Sequence, residues 1–204
     1  MKYKTLFWIL LFALPSCQNT QKAVDTPTSQ STEASAAEST LTPNLYGAWK
    51  SESSIGFKDY NYNFEYRFTK NRWELVTTIA SDKEFKKILL VFREEGTFVT
   101  NKESDQNFKI DFKTIKKFVK AVKRDPRIIS ELGLSRCLNQ FKVEMDISGL
   151  NCGKFKAVSE CPDQFDLLVV QKQKIQMGER TLFDRKCSEK DRPSDAKLGF
   201  RKLI

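Results

Sequence analysis

Residues 60–68 read Tyr-Asn-Tyr-Asn-Phe-Glu-Tyr-Arg-Phe, and this strict alternation constrains the fold more than any other feature of the chain. Successive side chains of an extended strand point to opposite faces. Tyr60, Tyr62, Phe64, Tyr66 and Phe68 therefore share one face, and Asn61, Asn63, Glu65 and Arg67 share the other. A row of adjacent rings must be covered by a second layer, because each carries a large apolar area that water disfavours. Asn71 marks a turn, and residues 73–79, opening on Trp73, read as the partner strand. Further strands are expected at 87–92, 97–101, 108–112 and 140–147. Residues 165–170 and 174–177, split by Gln171-Lys172-Gln173, are expected to form a hairpin. Short strands separated by turns predict an antiparallel sandwich or barrel.

One segment carries a different period. Ile115, Phe118, Val119 and Val122 fall at i, i+3, i+4 and i+7, the spacing of one helical face. Lys113, Lys116, Lys117, Lys120, Lys123 and Arg124 surround them, with no acid among them. The spacing predicts one basic helical insertion ending at Pro126, with a second short helical turn over 127–134.

The N-terminus gives an address. Lys2 and Lys4 precede an unbroken apolar run from Leu6 to Leu14, and Leu14-Pro15-Ser16-Cys17 follows at once. At 1.5 Å per residue the run makes only about 14 Å of helix, against about 30 Å of hydrocarbon, so a retained spanning helix is not expected. Leu-Pro-Ser-Cys resembles the bacterial lipobox, in which the cysteine is acylated and becomes the mature N-terminus. The resemblance implies a signal peptide over 1–16, palmitate-type acylation of Cys17, and attachment to the cell envelope. Gln18, where an aspartate would imply retention at the inner membrane, points by the same resemblance to the outer membrane. Loss of Lys2 and Lys4 lowers the formal charge from +9 to +7. Residues 17–43 are rich in Ser, Thr and Ala and are expected to be a disordered linker with a reach of about 28 Å. Residues 44–204 suit one domain.

Apart from Cys17, the cysteines are Cys137, Cys152, Cys161 and Cys187. An even count in an exported domain points to two disulfides, for which three pairings are open. Cys137 with Cys152 is favoured because the two flank the 141–147 strand, and Cys161 with Cys187 because they bracket the 165–177 hairpin. The chain contains no histidine. This removes Ser-His and Cys-His nucleophile pairs, histidine metal sites and histidine proton shuttles. With no phosphate loop and no G-x-S-x-G turn, neither catalysis nor a cofactor or metal is expected. Export also argues against nucleic acid as a partner, despite a pI near 9.3.

Gly47-Ala48-Trp49 resembles the G-x-W signature of the lipocalin and wider calycin barrels. More broadly, the chain is similar to a group of bacterial lipocalin-like lipoproteins with an aromatic second strand. The motifs of that group correspond here to Gly96-Thr97-Phe98, Lys109-Ile110-Asp111-Phe112, two cysteines about a strand, a hairpin near Asp166–Glu179, and Arg192-Pro193-Ser194. Two departures stand out: Gln-Lys-Gln replaces Asp-Gly-Asn at the hairpin turn, and the insertion is unusually basic. The resemblance implies a barrel of about eight strands with one helical insertion. It also implies that Trp49 closes one end, against a basic side chain such as Arg201 or Lys202.

Two functions are then expected. A hollow barrel would hold a small apolar or amphipathic ligand against Trp49, Tyr60, Tyr62, Phe64, Tyr66, Phe68 and Trp73. A filled barrel would instead be an envelope interaction or scaffold protein. Its basic segment Lys113, Lys116, Lys117, Lys120, Lys123 and Arg124 would then lie against anionic lipid or an acidic protein partner.

Overall fold

A computed structural model describes residues 43–204, apart from 139, 141, 180, 182, 184 and 185. The expected signal peptide, Cys17 and all but the last residue of the expected linker lie outside the described residues.

The described residues form ten strands and one α-helix: β1 (Gly47–Ser51), β2 (Ile55–Phe57), β3 (Tyr60–Phe68), β4 (Arg72–Ala80), β5 (Ile88–Lys102), β6 (Asn107–Ala121), α1 (Pro126–Glu131), β7 (Glu144–Asp146), β8 (Asp163–Gln171), β9 (Lys174–Gly178) and β10 (Ala196–Lys202). The sheet runs β1-β10-β9-β8-β6-β5-β4-β3, and β3 pairs back onto β1, giving a closed antiparallel barrel of 8 strands. Closure leaves no unpaired edge along this ring. Two short strands sit beside it: β2 pairs with β3 at Tyr60–Tyr62, and β7 pairs with β6 at Phe118–Lys120.

The row in β3 behaves as its alternation predicts, with all five rings buried inside the barrel. Trp73 and Leu75 of β4, Phe112 of β6 and Phe200 of β10 join them in the same core.

The segment expected to be a basic helix is strand. Residues 113–121 belong to β6, and the helical spacing has a specific origin. Glu95 pairs with Lys116 but Gly96 pairs with Thr114, so Ile115 is an extra residue in β6, a β-bulge. Phe108, Ile110, Phe112 and Thr114 face inward before the bulge, and Lys117, Val119 and Ala121 face inward after it. The one-residue slip converts a period of two into an apparent helical repeat. Gly96 makes the bulge possible: a Cβ there would stand 1.8 Å from the Lys113 carbonyl oxygen. The same glycine reads as a turn in the sequence, yet 87–92 and 97–101 are parts of one continuous β5.

The helical insertion lies farther on, at α1. Pro126 opens this helix rather than ending one, because its fixed φ and missing N–H suit the first helical position. Asp125 caps it, with Oδ1 accepting from the N–H groups of Arg127 (3.0 Å) and Ile128 (3.3 Å). The strand expected at 140–147 is confined to β7; residue 141 lies outside the described residues.

The excursion between β6 and β8 caps the barrel end nearest Tyr60. Ile128, Leu132 and Leu134 are fully buried in the barrel core, and the Phe155 ring stacks 4.1 Å from Phe92. Cys137 is bonded to Cys152 across the cap, with Cα atoms 5.8 Å apart. Cys161 is bonded to Cys187, with Cα atoms 5.3 Å apart, tying the start of β8 to the loop after β9. Both favoured pairings are therefore present. The hairpin turn needs no Asp-Gly-Asn: Lys172 takes φ 45°, and Gln171 pairs directly with Lys174.

Candidate functional site

The barrel interior is the first place where function could reside, and its rings touch one another. Tyr66 packs against Phe68 (5.5 Å between centroids), Phe112 (5.9 Å) and Phe200 (5.4 Å), while Trp73 lies 4.9 Å from Phe112. A chamber able to hold a guest would leave its lining accessible to water. Tyr60, Tyr62, Phe64, Tyr66 and Phe68 instead retain between 0 and 4% of their accessible surface. Trp49 seals the end near Pro43. Its Nε1 donates to the Leu45 carbonyl oxygen at 2.7 Å, and the Lys202 Nζ lies 5.5 Å from its ring. Lys202 thus takes the position expected of Arg201 or Lys202. Arg201 instead donates to Glu52 at 2.6 Å on the outside.

A polar patch interrupts the apolar interior at the waist. The Gln164 Nε2 donates to Thr114 Oγ1 at 3.0 Å and to Glu94 Oε2 at 3.3 Å. Lys117, directly across the ladder from Glu94, points inward and donates from Nζ to the Lys156 carbonyl oxygen at 3.3 Å. Lys117 is thereby removed from the expected outer contact surface, since its side chain is buried. Burial with hydrogen-bond partners makes these groups fasteners between β5, β6, β8 and the cap.

Three of the short motifs that are scattered along the sequence meet at Arg192. Its guanidinium donates to the Ile110 and Asp166 carbonyl oxygens, pairs with Asp111, and faces the Phe165 ring at 5.3 Å. Nearby, Asp166 Oδ1 accepts from the Gly178 N–H at 2.9 Å, and Pro193 packs over Gly178. The Lys109–Phe112 stretch, the 166–179 hairpin and Arg192-Pro193-Ser194 thus form one lock across β6, β8 and β9, a role in architecture.

On the outside, the bulge puts Ile115 and Lys116 side by side facing solvent. Lys113, Lys123 and Arg124 are exposed as well, and Lys120 is half-buried. Beside them Arg93 pairs with Glu95 and with Glu144 (2.7 Å) and lies 3.6 Å from Glu74. The Glu144 carboxyl is held below its ordinary range, chiefly by the hydrogen bond from Arg93.

Two open troughs flank the outer side of β5 here. One, of about 550 Å³, is lined by Arg72, Trp73, Gly96, Ile115 and Lys116 among others. The other, of about 380 Å³, is lined by Pro43, Leu45, Tyr46, Phe98 and Val99 among others. Tyr46, Val99 and Ile115 are each about half exposed or more. Sequence reasoning did not single out Tyr46 or Val99. Once the pleat is assigned, the signal is a large apolar residue at an outward position. Among the described residues no group of three or more His, Cys, Asp or Glu side chains could hold a metal ion. No protein-family model and no curated protein matches the chain.

Proposed function

We propose that this chain is a non-catalytic lipoprotein of the bacterial cell envelope, held to the membrane through Cys17, whose lipocalin-like barrel is a filled scaffold acting through its outer surface. The observation that carries this reading is the near-complete burial of the Tyr60–Phe68 row by ring-on-ring contact, beneath a disulfide-stapled cap. A lipocalin-type guest would have to displace Ile128, Leu132, Leu134 and Phe155 before reaching the rings. Support for the membrane placement comes from the Leu14-Pro15-Ser16-Cys17 motif and from two disulfides in the folded domain, which suit an oxidising compartment. The absence of histidine supports a role without catalysis.

The exposed bases Lys113, Lys116, Lys123 and Arg124 give this scaffold a cationic flank, and each charge close to an anionic surface contributes about 1 kcal/mol. Two measurements on the mature protein test the reading. Labelled palmitate incorporation, with accumulation of the precursor under globomycin, reports the anchor. Native mass spectrometry after incubation with a cell-envelope lipid extract reports the interior: the expected mass is polypeptide plus acyl chains. Retention of a further small molecule, lost when the cap disulfide is removed, would restore the guest-binding reading.

A further inference from the structure

The two disulfides meet solvent differently. Cys137 and Cys152 are both buried, and so is Cys161, whereas Cys187 is exposed. Exchange requires a thiolate to reach one sulfur of the bond, so access decides which bond reacts. The Cys137–Cys152 bond offers neither of its cysteines to solvent, and the Cys161–Cys187 bond offers one.

What the exposed bond holds is local. Beside Cys187, the Lys186 carbonyl oxygen accepts from the Phe165 N–H at 2.8 Å. Four positions before Cys187, Phe183 stands edge-on to Phe155 and Phe57, 5.6 Å from each ring, with the Lys154 Nζ 4.9 Å from its centroid. Phe155 is the ring that closes the cap over Phe92. On the other side of Cys187, Arg192 is held independently by the Ile110 and Asp166 carbonyl oxygens and by Asp111. The pairings of β8 with β6 and with β9 do not depend on the bond either. Opening it therefore frees Phe183 and Lys186 and leaves the barrel ladders, the Arg192 lock and the cap bond in place.

We infer that Cys187 is a site of thiol–disulfide exchange, at which a dithiol reductant opens the Cys161–Cys187 bond of the folded protein and releases Phe183 from the cap. The reductant's thiolate bonds to the Cys187 sulfur, and the Cys161–Cys187 bond breaks. The electron pair of that bond goes to the Cys161 sulfur, which takes a proton from water. In its reduced form Cys161 has the Asp163 carbonyl oxygen, 3.6 Å away, as an acceptor for its S–H. The reductant's second thiolate then displaces Cys187 from the mixed disulfide. Cys187 is protonated in turn, and the reductant leaves as its own disulfide. The exchange site does not depend on the membrane anchor, since all of its parts lie in the barrel domain.

The test uses the whole protein, oxidised and native, in graded dithiothreitol without denaturant. Thiols are trapped at intervals with N-ethylmaleimide and located by peptide mass spectrometry. Brief trypsin treatment at each point reports on the peptide bond after Lys186. The expected result is labelling of Cys161 and Cys187 together, at least about tenfold faster than Cys137 and Cys152. Cleavage after Lys186 should rise in step, as its segment loses its anchor. Glutathione, a monothiol, should be caught as a mixed disulfide on Cys187 with Cys161 alkylated. Equal labelling of all four cysteines, labelling only after denaturant is added, or a glutathione adduct on Cys161 would each overturn the exchange site. Selective labelling with no rise in cleavage after Lys186 would overturn the release of Phe183.

Discussion

The guanidinium of Arg93 lies 3.9 Å from the centroid of the Phe118 ring, on the outside of the barrel where the two residues pair across the β5–β6 ladder. The contact explains why Phe118 can face outward, since the cation and its stem cover the ring. It also ties β7 to the barrel through Glu144. Replacing Arg93 by alanine exposes Phe118 and frees Glu144. We expect a loss of about 1–2 kcal/mol in unfolding free energy by urea titration. An unchanged midpoint would mean that the cluster is decoration.

The same cluster sets a pH dependence. The Glu144 carboxyl is lowered by its hydrogen bond from Arg93, and the Asp146 carboxyl by hydrogen bonds from Ser148. A carboxyl whose folded pKa is depressed adds stability above its unfolded value, and this is lost as pH falls through the folded value. Stability should therefore decline below about pH 4.3, the ordinary glutamate value, and the decline should be shallower in Glu144→Gln. Thermal unfolding between about pH 5 and 3 checks both slopes. The effect is modest, because Glu144 is partly exposed and screened by solvent.

Gly153 sits where the cap folds back on itself. It takes φ +60°, and a Cβ there would stand 2.1 Å from the Leu132 carbonyl oxygen and 2.6 Å from the Gly133 Cα. Gly153→Ala should destabilise by about 2–4 kcal/mol, because both the backbone and the close crossing resist it. Gly56→Ala, with nothing within 4 Å of the new methyl, should change stability far less. Comparing the two by calorimetry separates a tight cap from a loose one.

The cap disulfide closes a loop with a sequence separation of 15. Replacing Cys137 and Cys152 together by alanine should cost about 3 kcal/mol, the value for a loop of this length. Chemical denaturation of the double variant against the parent gives the number. A negligible loss would mean that the excursion is held by Ile128, Leu132, Leu134 and Phe155 alone.

The pairing-dependent parts of the molecule were legible wherever the pleat was unbroken. Tyr60–Phe68 faces inward ring by ring as its alternation predicts, and Lys172 supports the hairpin turn in a sequence that lacks the usual glycine. The error at 113–124 has a local cause, since Ile115 shifts the inward positions by one and imitates a helix. Gly96 misled in the same place, because a glycine needed for close backbone approach is indistinguishable from a turn glycine in one sequence. The C-terminal strand is weakly marked in the sequence, because only Leu198 and Phe200 give its inward face an apolar signal and the next inward position is the charged Lys202. The Arg192 lock could not be read at all, since its partners lie on β6 and β8, some 26 to 82 positions away.

Whether the barrel interior is solid is measured directly by one substitution. Phe112 is buried against Tyr66, Phe68 and Trp73. In a packed interior Phe112→Ala leaves a hole that its neighbours cannot close, and the account predicts a loss of about 3–5 kcal/mol in unfolding free energy. A loss below about 1 kcal/mol, the signature of a side chain that lined empty space, would contradict a filled scaffold and return the rings to the service of a ligand.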